Sequence, residues 1–426
     1  MKIWKSIAFL LTVGLIFFSA CQKEDGIDSE RLADSTNIKV YSLMNQWYLW
    51  NQELPDIYPG MYDTPQELID AIKFKPLDRW SYVQEEETFN QFFVEGKTIG
   101  YGIGFRLFDQ SDLKITYVSE GSPAQQAGLM RGFTVLKING KPIENLIADA
   151  TIVEELGPDV EGTTATFTYL DFAGQEHEVQ ISKDLFDVDA VLTQKVFEFQ
   201  AKKIGYLAYN NFLSTSILEL NQILSEFLDQ DISELILDLR YNGGGSLSVA
   251  RFLASAIGWN KAGASEFVEL AYNEARNSEN SILNFEDNNF TMNLERLVVI
   301  TGPGTASASE VIINSLRSYL PVTTIGQTTS GKPVGMNIWR IDGYAVAPVT
   351  FRVENADGEA DYFDGIVPDL TGTDDIVHPI GDPDERLLKL ALDYIENGLG
   401  ARIDQAPKDA GPQLQVSGFQ SIKGVF

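Results

Sequence analysis

The stretch LVVITGPGTASASEVIINSL, residues 297–316, decides the fold class. Leu297 to Ile300 is an unbroken apolar run, the composition of a strand covered on both faces of a sheet. A loop rich in glycine and threonine follows, and then Val311, Ile312, Ser315, Leu316 and Tyr319 recur at helical spacing. Strand, loop and helix in that order make one α/β unit. Upstream the unit repeats: Gly205 to Tyr209 is strand-like, Ile217 to Leu228 is an amphipathic helix, and Leu235, Ile236 and Leu237 form a second run of the doubly buried kind. This alternation predicts an α/β core over residues 188–398, followed by a short tail over 399–426.

Ahead of the core the texture changes. Over 98–187, short β-type runs (Leu113 to Val118, Phe133 to Ile138, Thr163 to Leu170) are separated by Gly and Pro turns, which predicts a β-rich domain. Over 38–97 the spacing is helical. Val40, Leu43, Met44 and Trp47 share a face, Thr64, Pro65 and Glu67 mark a helix start, and Thr88 with Gln91 repeats the signal before Phe92, Phe93 and Gly96. Residues 22–37 carry Glu24, Asp25, Asp28, Glu30 and Asp34 without an aromatic, and read as a solvated acidic tether. Residues 1–21 read as a secretory signal: Lys2 and Lys5, an uncharged run from Ile7 to Phe18, then Ser19, Ala20 and Cys21. That run is shorter than the roughly 20 residues a bilayer span needs.

Composition narrows the chemistry. With 32 Lys and Arg against 61 Asp and Glu, the net charge of −29 repels a phosphate backbone, so no nucleic-acid partner is expected. Two His and one Cys cannot build a zinc site of four thiolates or of two thiolates and two imidazoles, and one Cys forms no internal disulfide. The acidic loops Glu286, Asp287, Asn288 and Asn355, Ala356, Asp357, Gly358 lack the alternating oxygens of a calcium loop and read as hairpin tips. Any chemistry must therefore rest on Ser, Lys, Asp or Glu.

Serines at the start of the helix after Gly304 have two readings. Ser307 or Ser309 can cap the helix; equally, a serine there sits where the helix dipole and the next N–H stabilise a developing oxyanion. Lys332, in Ser330, Gly331, Lys332, Pro333, Val334, Gly335, is a candidate base, provided burial lowers its pKa from about 10.4 by roughly 3 units. Asp238, Leu239, Arg240, Tyr241, Asn242, Gly243, Gly244 and Gly245 follow a buried strand, where glycine N–H groups can complete an oxyanion hole. His177 and His378 are read as incidental.

These segments resemble the C-terminal (tail-specific) processing proteases, serine peptidase family S41. In that family the first Ser of SASE is the nucleophile and the Lys of a downstream GK turn is the base; the matching positions are Ser307 and Lys332. The oxyanion donors correspond to the backbone of Ala308 and of Gly243 or Gly244. Phe363, Asp364, Gly365, Ile366, Val367, Pro368 and Asp369 are similar to the family's late GxxPD segment. Asp78, Ser81 and Tyr82 loosely match its early DPxSxY segment, with Arg79 in place of Pro. Met336 stands where many members carry a Gln that orients the Lys, with Asn337 beside it.

Gly102, Ile103, Gly104 and Phe105, followed by Ser122, Pro123 and Ala124, resemble a PDZ domain and its carboxylate-binding loop. The resemblance implies a multidomain α/β protein with a helical N-terminal domain, a PDZ-like domain and a crotonase/ClpP-like α/β peptidase core. Its implied activity is a serine endopeptidase working without cofactor on protein or peptide substrates captured by their C-termini; the alternative is a catalytically inactive peptide-binding lipoprotein of the same fold. An α/β lyase or acyl hydrolase acting on small thioesters, on a crotonase-like core, is a third reading. Small residues before a lone cysteine also resemble the bacterial lipobox, so Cys21 is the expected lipidation site and the membrane a partner through that lipid anchor. This implies a cell-envelope lipoprotein of a Gram-negative bacterium, at the outer membrane, periplasmic or surface-exposed; Lys23, Glu24 and Asp25 are similar to a surface-export signal.

Overall fold

The computed structural model describes residues 25–108, 112–199 and 202–398. The expected signal over 1–21 with Cys21, and the expected tail 399–426, lie outside the described residues.

At the centre is a six-stranded sheet in the order Val191–Phe199, Lys202–Tyr209, Glu234–Asp238, Leu297–Thr301, Val322–Gly326 and Leu370–Thr371. Its first pair is antiparallel and the others are parallel. The apolar runs behave as their composition requires. Leu235, Leu237, Leu297 and Val299 face the helices Ile217–Asp229, Leu247–Ala262 and Ala308–Arg317. Ile236, Val298 and Ile300 alternate to the other face, against the helix Arg386–Asn397. Period-two alternation of an all-apolar strand therefore feeds two separate cores.

The β-rich domain is a five-stranded path, Ile103–Phe108, Asp112–Val118, Thr134–Ile138, Thr164–Leu170 and Glu176–Ser182, with Lys141–Pro142 off it. Its entry strand Lys97–Gly100 pairs with its exit strand Asp184–Asp187. Two arginines dock it on the core. Arg131 bonds Asp374, the Asp375 carbonyl and the Tyr241 hydroxyl, and Arg106 bonds Gln327. Asp374 also accepts from Arg240, which is clamped by Asp238 and Glu385. The three cationic neighbours hold the Asp374 carboxyl below the usual carboxylate range even though burial acts the other way.

The N-terminal expectations need three corrections. Of the expected tether 22–37, residues 25–37 are not free: a helix runs Asp25–Trp47, and Thr36 and Asn37 are buried. No Gly or Pro interrupts residues 27–38, so a helix anchored by Val40 and Met44 has nothing to stop it there. Thr36 and Lys39 tie it to Asp342. Second, the segment 38–97 is not purely helical, since its strand Tyr82–Glu85 pairs with Tyr344–Ala347 of the core. Third, Thr88 does not cap a helix; the helix Glu86–Phe93 starts two residues earlier, whereas Thr64 does accept the Glu67 N–H as expected. No helix among the described residues is long and apolar enough to cross a membrane.

Candidate active site

Because Glu234–Asp238, Leu297–Thr301 and Val322–Gly326 are parallel neighbours, the three loops leaving their carboxyl ends emerge side by side. Those loops carry the glycine turn, Ser307 and Lys332. The first two are laced together: Asn242 carbonyl accepts from the Ala306 N–H and the Ser309 hydroxyl, both at 3.0 Å, and Thr305 donates to the Leu239 carbonyl at 2.7 Å. Ser309 is thus structural, spent on the glycine turn.

Ser307 occupies the N-cap of the helix Ala308–Arg317 with φ 55° and ψ −118°. This left-handed conformation costs a non-glycine residue on the order of 1–3 kcal/mol and persists only where the surroundings enforce it. The glycine turn presses on it: a Cβ at Gly244 would lie 2.8 Å from Ser307 Cβ, and Gly244 has φ 106°. Of the two glycines expected as oxyanion donors, Gly244 is excluded as it stands, because its N–H donates to Asn242 Oδ1 at 2.9 Å. Gly243 lines the cleft beside Ser307 and Ala308, and neither its N–H nor that of Ala308 has a partner among the described residues.

Lys332 is 5% exposed and lines the same cleft, a cavity of about 290 Å³ walled by Phe212, Leu247, Val334, Met336 and Phe351. Its amine makes no hydrogen bond to a described residue. Burial pushes its pKa down to about 8, against the opposing pull of Asp78 and Glu310. Met336 lines the cleft with nothing to offer a hydrogen bond, and the Asn337 amide is turned away onto the Tyr272 hydroxyl at 3.1 Å. A one-residue shift along a strand reverses the face, so Asn337 does not replace the missing Gln.

Glu310, which sequence reasoning passed over, holds the two turns together. It is fully buried and accepts four hydrogen bonds: from the Ser307 N–H at 2.9 Å, the Lys332 N–H at 2.8 Å, the Gly331 N–H at 2.7 Å and the Thr329 hydroxyl at 2.5 Å. Burial raises its pKa while the four donors resist that rise. The usable signal was Ser307 with an acid three residues on, the spacing of a capping box. Arg79 was also missed as a contributor: its guanidinium reaches the carbonyls of Ser330, Gly331 and Phe363 at 3.1–3.4 Å. Asp78 accepts from the Trp80 and Ser81 N–H groups and from the Tyr48 hydroxyl, and Ser81 accepts from the Val349 N–H. The early segment is thus a strap across the lysine turn.

The other expected residues fall elsewhere. Gly102, Ile103 and Phe105 line a second pocket, while Gly104 packs against Tyr117. His177 bonds Asp171 and His378 bonds Asp375, both outside the cleft.

Comparison with known proteins matches these regions one by one. The model of the peptidase family S41 covers residues 203–371, that of the S41 N-terminal domain 35–82 and that of the PDZ domain 92–160. A CtpA-like serine protease of Staphylococcus aureus is 25% identical over 451 aligned residues, covering 98% of this chain and 84% of its own. An S41 protease of Bacteroides fragilis superposes with a TM-score of 0.67 at 25% identity, over 84% of this chain and 97% of its own. A photosystem II D1 C-terminal processing protease shares the fold, with a TM-score of 0.52 at 19% identity over 80% of this chain and 92% of its own. Since the matched regions are those that supply the cleft, its strap and the docked β-rich domain, the chain belongs to peptidase family S41 and is a serine peptidase of the C-terminal processing type.

Proposed function

We propose that the chain is an endopeptidase in which Ser307 is the nucleophile and neutral Lys332 the general base. The observation that carries this reading is a strained serine and a buried lysine lining one cleft, the lysine amine and two adjacent N–H groups being without partners among the described residues. Lys332 removes the Ser307 hydroxyl proton as the oxygen attacks a peptide carbonyl, and the N–H groups of Ala308 and Gly243 hold the oxyanion. The Lys332 ammonium then gives its proton to the departing amine; neutral again, Lys332 takes a proton from a water that attacks the acyl carbonyl, and returns it to the Ser307 oxygen as the acid leaves. A pKa of about 8 leaves about a tenth of the lysine neutral at pH 7, against well under a thousandth at its ordinary value.

The base acts only when deprotonated, so cleavage of an unstructured polypeptide is expected to rise about tenfold per pH unit below pH 8 and to level above it. A profile flat from pH 6 to 9 would remove Lys332 from the role. Wild-type turnover at any pH also disposes of the silent binder, a reading favoured only by the absence of an orienting group at Met336.

The PDZ-like domain is proposed to capture substrates by their C-termini, with the Gly102 to Phe105 loop taking the carboxylate. The same polypeptide with an amidated C-terminus should be cut about tenfold more slowly or worse, and equal rates would count against tail capture. Acylation at Cys21 would tether the enzyme to the cell envelope, at the outer membrane of a Gram-negative bacterium.

A further inference from the structure

The pocket lined by the Gly102 to Phe105 loop has a second wall. One side is Ile103 and Phe105 with Val153 and Leu156; facing them, from the peptidase core, are Asn210 and Asn211. The two asparagines are only 4% and 3% exposed. Buried amides are normally hydrogen-bonded throughout, because one left unsatisfied has lost its water without a replacement. Here the Tyr117 hydroxyl engages one end of the Asn210 amide, but Asn210 Oδ1 meets no partner among the described residues. The Asn211 side chain makes no hydrogen bond to a described residue. Two buried amides with unused polar atoms therefore border a pocket that is otherwise largely apolar.

The lining also selects the ligand. Lys183 is the one cation bordering the pocket among the described residues, and its ammonium is spent on the carbonyls of Gly157 and Pro158 and on Asp159. With no free cation, the pocket does not suit a phosphate or a dicarboxylate. Neutral amides beside backbone N–H groups suit one carboxylate and one N–H, which together are the end of a polypeptide chain. We infer that Asn210 and Asn211 are tail-binding residues: the C-terminal residue of a substrate is held between the PDZ-like domain and the core, its apolar side chain against Ile103, Phe105, Val153 and Leu156 and its polar end shared by the loop and the two amides. This rests on the reading of the loop as a carboxylate site. The same strand end continues into Phe212, whose N–H donates to the Gly244 carbonyl at 3.0 Å and whose ring lines the cleft. Tail affinity is thus a property of the docked pair of domains and not of the PDZ-like domain alone.

The test is equilibrium binding of a fluorescent, unstructured peptide ending in leucine to the full chain carrying Ser307→Ala, which stops turnover. Asn210→Ala and Asn211→Ala should each weaken binding about tenfold, the loss of one hydrogen bond. Asn210→Asp should weaken it further by setting carboxylate against carboxylate. Thermal unfolding of each variant reports folding, and Asn211→Ala tests the inference independently should Asn210 variants misfold. Two failures separate cleanly. If the parent prefers the free acid over the amidated peptide but both alanine variants bind like the parent, the second wall is wrong and the loop reading survives. If the parent binds both peptides equally, the loop reading fails and takes this inference with it.

Discussion

Replacing Ser307 or Lys332 by alanine is expected to lower kcat/KM for polypeptide cleavage by at least about 10⁴-fold, and the double variant should be no worse than either single one. Two groups that act in one proton transfer cannot be lost twice. Lys332→Arg should be as inactive as Lys332→Ala, because a guanidinium does not deprotonate in a protein. Stability separates this from a structural role. The folded-state pKa of Lys332 is about 8 and the unfolded value is near 10.5, so at pH 7 the unfolded chain holds that proton more tightly. The buried lysine therefore destabilises the fold at neutral pH, by on the order of 3 kcal/mol, and the penalty fades as pH rises from 8 towards 10.5. Lys332→Met should melt higher than wild type at pH 7, with a gain that shrinks by pH 10. A variant that is inactive and also less stable at pH 7 would point to a scaffolding lysine and sink the base assignment.

Much of the core was legible because local chemistry and tertiary burial agree there. The runs around Leu235 and Leu297 are apolar on both faces and are covered on both faces; the Gly turns sit where strands end. Ser307 and Lys332 were legible by resemblance, and the sequence could not say whether the lysine was buried enough to be neutral. That depends on Phe212, Phe351 and the strap at Asp78, which are distant in sequence. The N-terminal region was misjudged for the same reason. An acidic stretch without aromatics has no apolar core of its own, yet Thr36 and Lys39 find Asp342, a partner some three hundred residues away. Asn210 and Asn211 carried no local signal at all, since nothing in YNNF says that another domain docks over it.

Glu310→Gln is expected to cost more than a loss of charge suggests, because both carboxylate oxygens are committed to donors. Oε2 receives the N–H groups of Ser307 and Lys332, and Oε1 receives the Gly331 N–H and the Thr329 hydroxyl. An amide must turn its NH₂ towards one of these pairs, and either choice sets donor against backbone donor in a site without solvent. In Glu310→Asp the shorter side chain would not reach both turns. The expected result for Glu310→Gln is a destabilisation of about 3 kcal/mol, as for breaking a buried charge network, with kcat/KM down at least about 100-fold. The direction of the pH profile distinguishes positioning from electrostatics. Glu310 raises the pKa of Lys332, so its removal should move the rising limb of the profile to lower pH and leave more of the base neutral at pH 7. A variant with more neutral base and yet far less activity can only have lost geometry between Ser307 and Lys332. Near-normal kcat/KM in a folded Glu310→Gln enzyme would mean that the two turns hold their places without the carboxylate, and the staple would have to be sought in the Arg79 strap and the interlocked glycines Gly331 and Gly365 instead.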